Sequence, residues 1–255
     1  MQSLIPGLTE VCWQAADAIM ECYYEDFDYA KKKDGSPLTK ADLASHHIIA
    51  TALAVLTPNI QVISEESGEL IDADELDHEF WLVDPLDGTK EFIKRSDEFT
   101  VNIALVRNKE PILGLVCCPA LDEIYVGQAG YGSYKKKRYG KQIELKIEPH
   151  QPEEYVIISS RSHGNQEAMD EFLKGVKVKE FLSAGSSLKF CRVAEGKAHL
   201  YPRLGRTMEW DTAAGHAILS SAGGEVRKLD NQMLYYGKSG LENPHFLACI
   251  KGALL

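Results

Sequence analysis

Two carboxylates flank a Pro-Leu pair in Asp84-Pro85-Leu86-Asp87, and Gly88-Thr89 follow directly. The apolar run from Phe80 to Val83 predicts a short buried strand leading into this turn. Pro85 fixes its own φ and biases Asp84 toward an extended backbone, so the display of both acids is restricted. Gly88 allows backbone geometry closed to other residues, and Thr89 can cap a helix or hold a water. The turn can also aim the Leu86 carbonyl inward. A stiff set of oxygen donors suits a hard divalent cation, since magnesium binds carboxylates together with substrate phosphate. The competing reading is an Asx-type turn in which both aspartates only satisfy backbone N–H groups. Taken alone, the motif divides evenly between the two.

Other acids sit at similar points. Glu65-Glu66 follow a strand predicted over Ile60 to Ser64. Asp42 lies in the first turn of a helix predicted over Lys40 to Leu56, where Thr39 and Asp42 form a variant capping box. Asp211 opens the small-residue helix start Trp210-Asp211-Thr212-Ala213-Ala214-Gly215-His216. A first-turn acid is also ordinary compensation of the helix dipole, which competes with a functional reading for Asp42 and Asp211 taken singly.

The elements that must position these acids fall into two rhythms. Residues 3–33 lean helical and are broken by Asp34-Gly35-Ser36-Pro37. Strands are predicted over Phe80 to Asp84, Phe99 to Val106, Ile112 to Cys117, Glu123 to Gly127 and Gln142 to Glu148. Lys135-Lys136-Lys137-Arg138 reads as a solvated hairpin tip. After Pro149-His150-Gln151-Pro152, strands and helices alternate. The strands are Tyr155–Ser159, Lys177–Leu182, Ala198–Tyr201, Gly224–Lys228 and Phe246–Ile250; the helices are Gln166–Lys174, Ser186–Glu195 and Asp211–Ser221. The expectation is an α/β protein with an α+β lobe over residues 1–150 carrying most of the acids. A second α/β lobe over residues 151–255 carries Asp211.

With 255 residues, 44% of them hydrophobic, the chain can bury a sizeable core. Its formal net charge of −10 argues against a nucleic-acid polymer as partner. The six cysteines form no C-x-x-C pair, which points to buried, reduced thiols and a cytoplasmic setting. No signal-like start is apparent, and no apolar run approaches a membrane span.

Asp84-Pro85-Leu86-Asp87-Gly88-Thr89 together with Trp210-Asp211-Thr212-Ala213-Ala214-Gly215 resembles the paired signatures of the inositol monophosphatase superfamily of lithium-sensitive, magnesium-dependent phosphatases. Ser64-Glu65-Glu66-Ser67 and Thr39-Lys40-Ala41-Asp42 resemble its other two elements, and all four occur in family order. Trp81 through Ile93, Phe99-Thr100-Val101-Asn102-Ile103-Ala104-Leu105 and Ser160-Arg161-Ser162-His163 are most similar to its 3′(2′),5′-bisphosphate nucleotidase branch. The resemblance implies a layered αβαβα sandwich of two lobes. It implies two or three Mg2+ ions held by Glu65, Asp84, the Leu86 carbonyl, Asp87 and Asp211, with Asp42, Thr89 and Glu65 acting on an attacking water. It implies substrate contacts from Asp87, Gly88, Thr89, Asp211, Ser186, Lys189 and Arg203, the last in Tyr201-Pro202-Arg203-Leu204. Arg161 and His163 are weaker candidates, and Glu91 and Lys94 have the spacing of a helix pair. The expected reaction is removal of the 3′-phosphate from adenosine 3′,5′-bisphosphate, or from 3′-phosphoadenylyl sulfate, in sulfur metabolism. The alternatives are an inositol monophosphate phosphatase and, more distantly, a non-catalytic phosphometabolite-binding protein. The expected setting is cytoplasmic, with or without peripheral attachment to the inner membrane, as a monomer or homodimer.

Overall fold

The computed structural model describes residues 1–25, 29–32, 37–67, 76–160 and 166–253. Helix α1 (Ile5–Tyr24) has Pro6 in its first turn and buries Leu8, Cys12, Ala15, Ile19 and Tyr23, spaced three or four residues apart on one face. Strands β1 (Ala30–Lys31) and β2 (Pro37–Leu38) form a small antiparallel ladder. Helix α2 (Lys40–Leu56) begins at the expected capping box: Thr39 Oγ1 accepts from Ala41 N, and Asp42 Oδ2 accepts from Thr39 N at 2.7 Å.

The first sheet follows chain order: β3 (Gln61–Ser64), β4 (Glu79–Asp87), β5 (Thr100–Arg107), β6 (Glu110–Cys118), β7 (Glu123–Gln128), β8 (Gly132–Lys137) and β9 (Gln142–Leu145). Among the described residues of this sheet only the β3–β4 pair is parallel. A short helix, α3 (Thr89–Ile93), leaves the end of β4. On β4, Trp81 and Val83 enter the core under α1 and α2, while Phe80 and Leu82 enter the core on the opposite face. The continuous apolar run therefore marks a strand covered on both sides. Strand β4 does not stop at Asp84. It resumes pairing at Asp87 opposite Thr100 after a register shift, so the acidic turn is a bulge within the strand. The basic run also departs from expectation. Lys135, Lys136 and Lys137 lie on β8, Lys135 and Lys136 paired to both β7 and β9, and Lys135 reaches the carboxylate of Glu195.

In the second half, β10 (Tyr155–Ser159), α4 (Gln166–Phe172), β11 (Val178–Ser183), α5 (Leu188–Ala194), β12 (Leu200–Arg203), α6 (Ala213–Ser221), β13 (Gly224–Lys228) and β14 (Phe246–Ile250) build a mixed sheet ordered β11-β10-β12-β14-β13. Helices α5 and α6 pack between the two sheets, and α1 and α2 cover the outer face of the first. Phe172 and Leu173, at the end of α4, join the core around the second sheet, giving the layered αβαβα arrangement. Helix α6 approaches the first sheet backbone to backbone. A Cβ on Gly114 of β6 would sit 2.3 Å from the Ala214 carbonyl oxygen, and one on Gly127 of β7 would sit 2.4 Å from Ile218 Cα. Just past α5, Glu195 accepts from Lys135, from Arg192 Nη1 at 2.7 Å and from Tyr125 OH at 3.2 Å, tying α5 to β7 and β8. Among the described residues, no helix is long and apolar enough to cross a membrane.

Candidate active site

The bulge of β4 opens onto a cavity of about 460 Å3. Glu65, Asp84, Leu86, Asp87, Gly88 and Thr89 line it from the first half of the chain, and Ser186, Lys189, Arg203 and Asp211 from the second. The metal-ligand and substrate-contact candidates named from sequence therefore share one cavity, while Asp42 reaches it through Thr89. Arg161 and His163 lie outside the described residues.

Each acid is held by identifiable bonds. Asp84 Oδ1 accepts from Leu86 N at 3.0 Å, so the Asx-type turn does form, and it forms at the cavity wall. Ser45 Oγ of α2 donates to the Pro85 carbonyl at 2.7 Å and pins the bulge from behind. Gly88 has φ of +89°, the left-handed conformation that lets the chain turn from β4 into α3. Asp87 Oδ2 accepts from Ser187 N at 2.6 Å and from Asn102 Nδ2 at 3.4 Å. Asn102 Oδ1 in turn accepts from Ser187 Oγ at 2.6 Å and from Thr100 Oγ1 at 3.1 Å. Asp211 Oδ2 accepts from Met208 N at 2.9 Å. The segment carrying Asp211 is latched from outside: Asn243 Nδ2 donates to Met208 O at 2.8 Å, and the buried Glu209 carboxylate accepts from Gly237 N at 2.7 Å. Asp42 Oδ2 is occupied by Thr39, while Oδ1 lies 3.3 Å from Thr89 Oγ1, which also lies 3.2 Å from the Leu86 carbonyl. One hydroxyl proton thus has two acceptors, an arrangement ready to shift when another group enters.

Burial pushes the carboxyls of Asp84 and Asp211 well above the usual range, and neighbouring Glu65 and Asp87 push both further. Asp87 rises to about 6 through burial, with Lys189 and the Ser187 amide pulling the other way. Burial raises Asp42 as well. Lys189 is drawn down to about 8 by burial, against the pull of Asp87. The acids line the cavity without closing into a three-ligand chelate among the described residues. Lys32 Nζ contacts Glu65 Oε1 at 2.7 Å and Glu66 Oε1 at 2.5 Å, so Glu66 faces Lys32.

Asn102, Ser187, Glu209 and Asn243 are absent from the sequence-based site. Asn102 was detectable, since it is a polar residue inside an otherwise apolar strand and such a residue needs a partner. The other three act through bonds between distant segments that local pattern cannot reveal.

The inositol monophosphatase family model matches residues 1–250. The chain belongs to this family. The inositol monophosphatase family is one of magnesium-dependent phosphatases. A 3′(2′),5′-bisphosphate nucleotidase CysQ of Salmonella typhimurium is 44% identical over 95% of this chain and 99% of its own length. The crystal structure of CysQ from Bacteroides thetaiotaomicron superposes with a TM-score of 0.84 at 37% identity, over 98% of both chains. An inositol monophosphatase from Anabaena shares the fold at a TM-score of 0.78 and 24% identity, over 98% of this chain and 92% of its own.

Proposed function

We propose that this protein hydrolyses the 3′-phosphate of adenosine 3′,5′-bisphosphate to AMP and phosphate, with 3′-phosphoadenylyl sulfate as a second substrate. The observation that carries the reading is the pairing, in one cavity, of a carboxylate wall with Lys189 and Arg203. The acids suit a metal-held scissile phosphate, and the cations suit a second phosphate on the same molecule. Two polar atoms support this. Arg203 and Ser186 line the cavity, and their buried Nε and Oγ atoms have no hydrogen-bond partner among the described residues. The relatives at 44% and 37% identity are a bisphosphate nucleotidase CysQ and a CysQ protein, in agreement with a nucleotide substrate.

The residues fit magnesium: the donors are all oxygens, and the acids are crowded and raised in proton affinity by burial and by one another. Glu65, Asp84, the Leu86 carbonyl, Asp87 and Asp211 would hold two or three ions. When bound, magnesium supplies positive charge to the phosphate and acidifies a water. The chain's own groups do the rest. Thr89 Oγ1 and Glu65 orient the attacking water. Asp42, raised in proton affinity, takes a proton through Thr89. The Ser187 amide and Asn102 keep Asp87 in one orientation. Lys189 and Arg203 fix the second phosphate so that the first lies in line with the water. No side-chain nucleophile is needed. The free cysteines support a reducing, cytoplasmic setting.

Phosphate release is measured from adenosine 3′,5′-bisphosphate, 3′-phosphoadenylyl sulfate and inositol 1-phosphate with magnesium, then with lithium added. The expected result is preference for the nucleotides and inhibition by lithium. A decisive preference for the inositol ester overturns the substrate assignment. Full turnover by a correctly folded Asp87→Asn variant overturns the assignment of the acids.

A further inference from the structure

Glu91 is an acid of the cavity with no task in the mechanism above. It lies on α3, half-buried, and lines the same cavity as Lys189 and Arg203. The spacing allows a helix pair with Lys94, yet among the described residues the Glu91 carboxylate enters no direct hydrogen bond or ion pair, and the cation that feels its charge across the cavity is Lys189. Its position is well defined. A Cβ on Gly88 would sit 3.4 Å from Glu91 Oε2, and a Cβ on Gly185 would sit 2.9 Å from Glu91 Cγ. The side chain is therefore wedged between the bulge that ends at Gly88 and the loop that leads through Gly185 to Ser186 and Lys189.

Lys189 answers part of the Glu91 charge but is engaged more strongly by Asp87, so a carboxylate here still disfavours an anionic ligand unless the ligand brings a donor to meet it. The inference rests on the bisphosphate reading. On that reading one phosphate sits at the bulge and the other at Lys189 and Arg203, so the sugar joining them lies in the cavity that Glu91 also lines. In a ribonucleoside 3′,5′-bisphosphate the 3′- and 5′-oxygens carry phosphates and C1′ carries the base. The one hydrogen-bond donor left on the sugar is the 2′-hydroxyl. We infer that Glu91 accepts a hydrogen bond from the ribose 2′-hydroxyl and is a specificity-determining residue, selecting ribonucleotide over deoxyribonucleotide.

The test compares kcat/KM for adenosine 3′,5′-bisphosphate and 2′-deoxyadenosine 3′,5′-bisphosphate in the magnesium-loaded wild type and in Glu91→Ala and Glu91→Gln. A hydrogen bond to a charged acceptor corresponds to a preference of about 10- to 100-fold for the ribonucleotide in the wild type. Glu91→Ala loses about that factor on the ribonucleotide and changes less than about threefold on the deoxynucleotide. Glu91→Gln, matched in shape and still an acceptor, falls between. Thermal unfolding shows that the variants are folded. A wild type that turns over both substrates equally well overturns the inference alone, as does a variant that loses both equally. A wild type inactive on both overturns the substrate assignment and this inference with it.

Discussion

Replacing Glu195 by Gln removes the charge that joins α5 to the first sheet. The Glu195 side chain is 5% exposed, with Lys135, Arg192 and Lys197 around it. Burial alone would raise its carboxyl; hydrogen bonds from those three cations reverse that and draw it down to about 2 from an ordinary 4.5. A difference of 2.5 units corresponds to about 3 kcal/mol of stability at neutral pH, since each unit is worth about 1.4 kcal/mol. The sign follows from the depressed folded-state value: this stability is fully present above pH 4.5 and lost as pH falls toward 2, with about 1.4 kcal/mol left at pH 3. Glu195→Gln also leaves Arg192 part-buried without its counter-charge, so the total cost is about 3–5 kcal/mol. For a chain of this length that lowers Tm by roughly 6–20 °C. Thermal unfolding of wild type and variant at pH 7 and pH 3 checks both the size and the direction. A Tm within about 2 °C of wild type at pH 7, or a gap that does not shrink at pH 3, refutes the reasoning.

Three further outcomes are expected. Lys189→Met raises KM for the 3′,5′-bisphosphate by about 10- to 100-fold but moves that for 3′-AMP little, because only the former brings a second phosphate; initial-rate kinetics on both substrates decide it. Gly114→Ala puts a methyl 2.3 Å from the Ala214 carbonyl, so α6 must move; the expectation is a loss of about 3 kcal/mol or more in denaturant unfolding and reduced turnover, since Asp211 lies just before this helix. His216 is buried against Tyr236, and burial draws it down to about 3 from 6.5, so stability falls as pH drops below 6.5 and the unfolded chain alone gains a proton. At pH 5 that amounts to about 2 kcal/mol, and His216→Phe flattens this part of the stability–pH curve measured by urea unfolding.

The sequence carried much of this molecule, for physical reasons that differ between elements. The Thr39 capping box and the two-faced strand β4 were legible because their signals are local: a cap needs side chains three residues apart, and a strand buried on both faces is apolar throughout. The strand predicted over Phe80 to Asp84 stops short of the observed one because Pro85 interrupts the ladder and the chain then re-enters it at Asp87. Lys135 to Lys137 read as solvated because the partner that takes up the Lys135 charge, Glu195, is 60 residues away in sequence. The acids of the cavity stand at element edges and could be listed one by one, but the Ser187 and Asn102 contacts that orient Asp87 depend on the two halves meeting.

The close seat of α6 on β6 and β7 also has a consequence for synthesis. The face of the first sheet that α6 covers is built from residues made well before it, yet the helix that seals that face spans Ala213–Ser221. A nascent chain that has completed β9 therefore displays an apolar surface with nothing of its own to cover it. Release of the first half as a separate fragment leaves an aggregation-prone sheet, and on the ribosome the two sheets close together only after α6 has emerged.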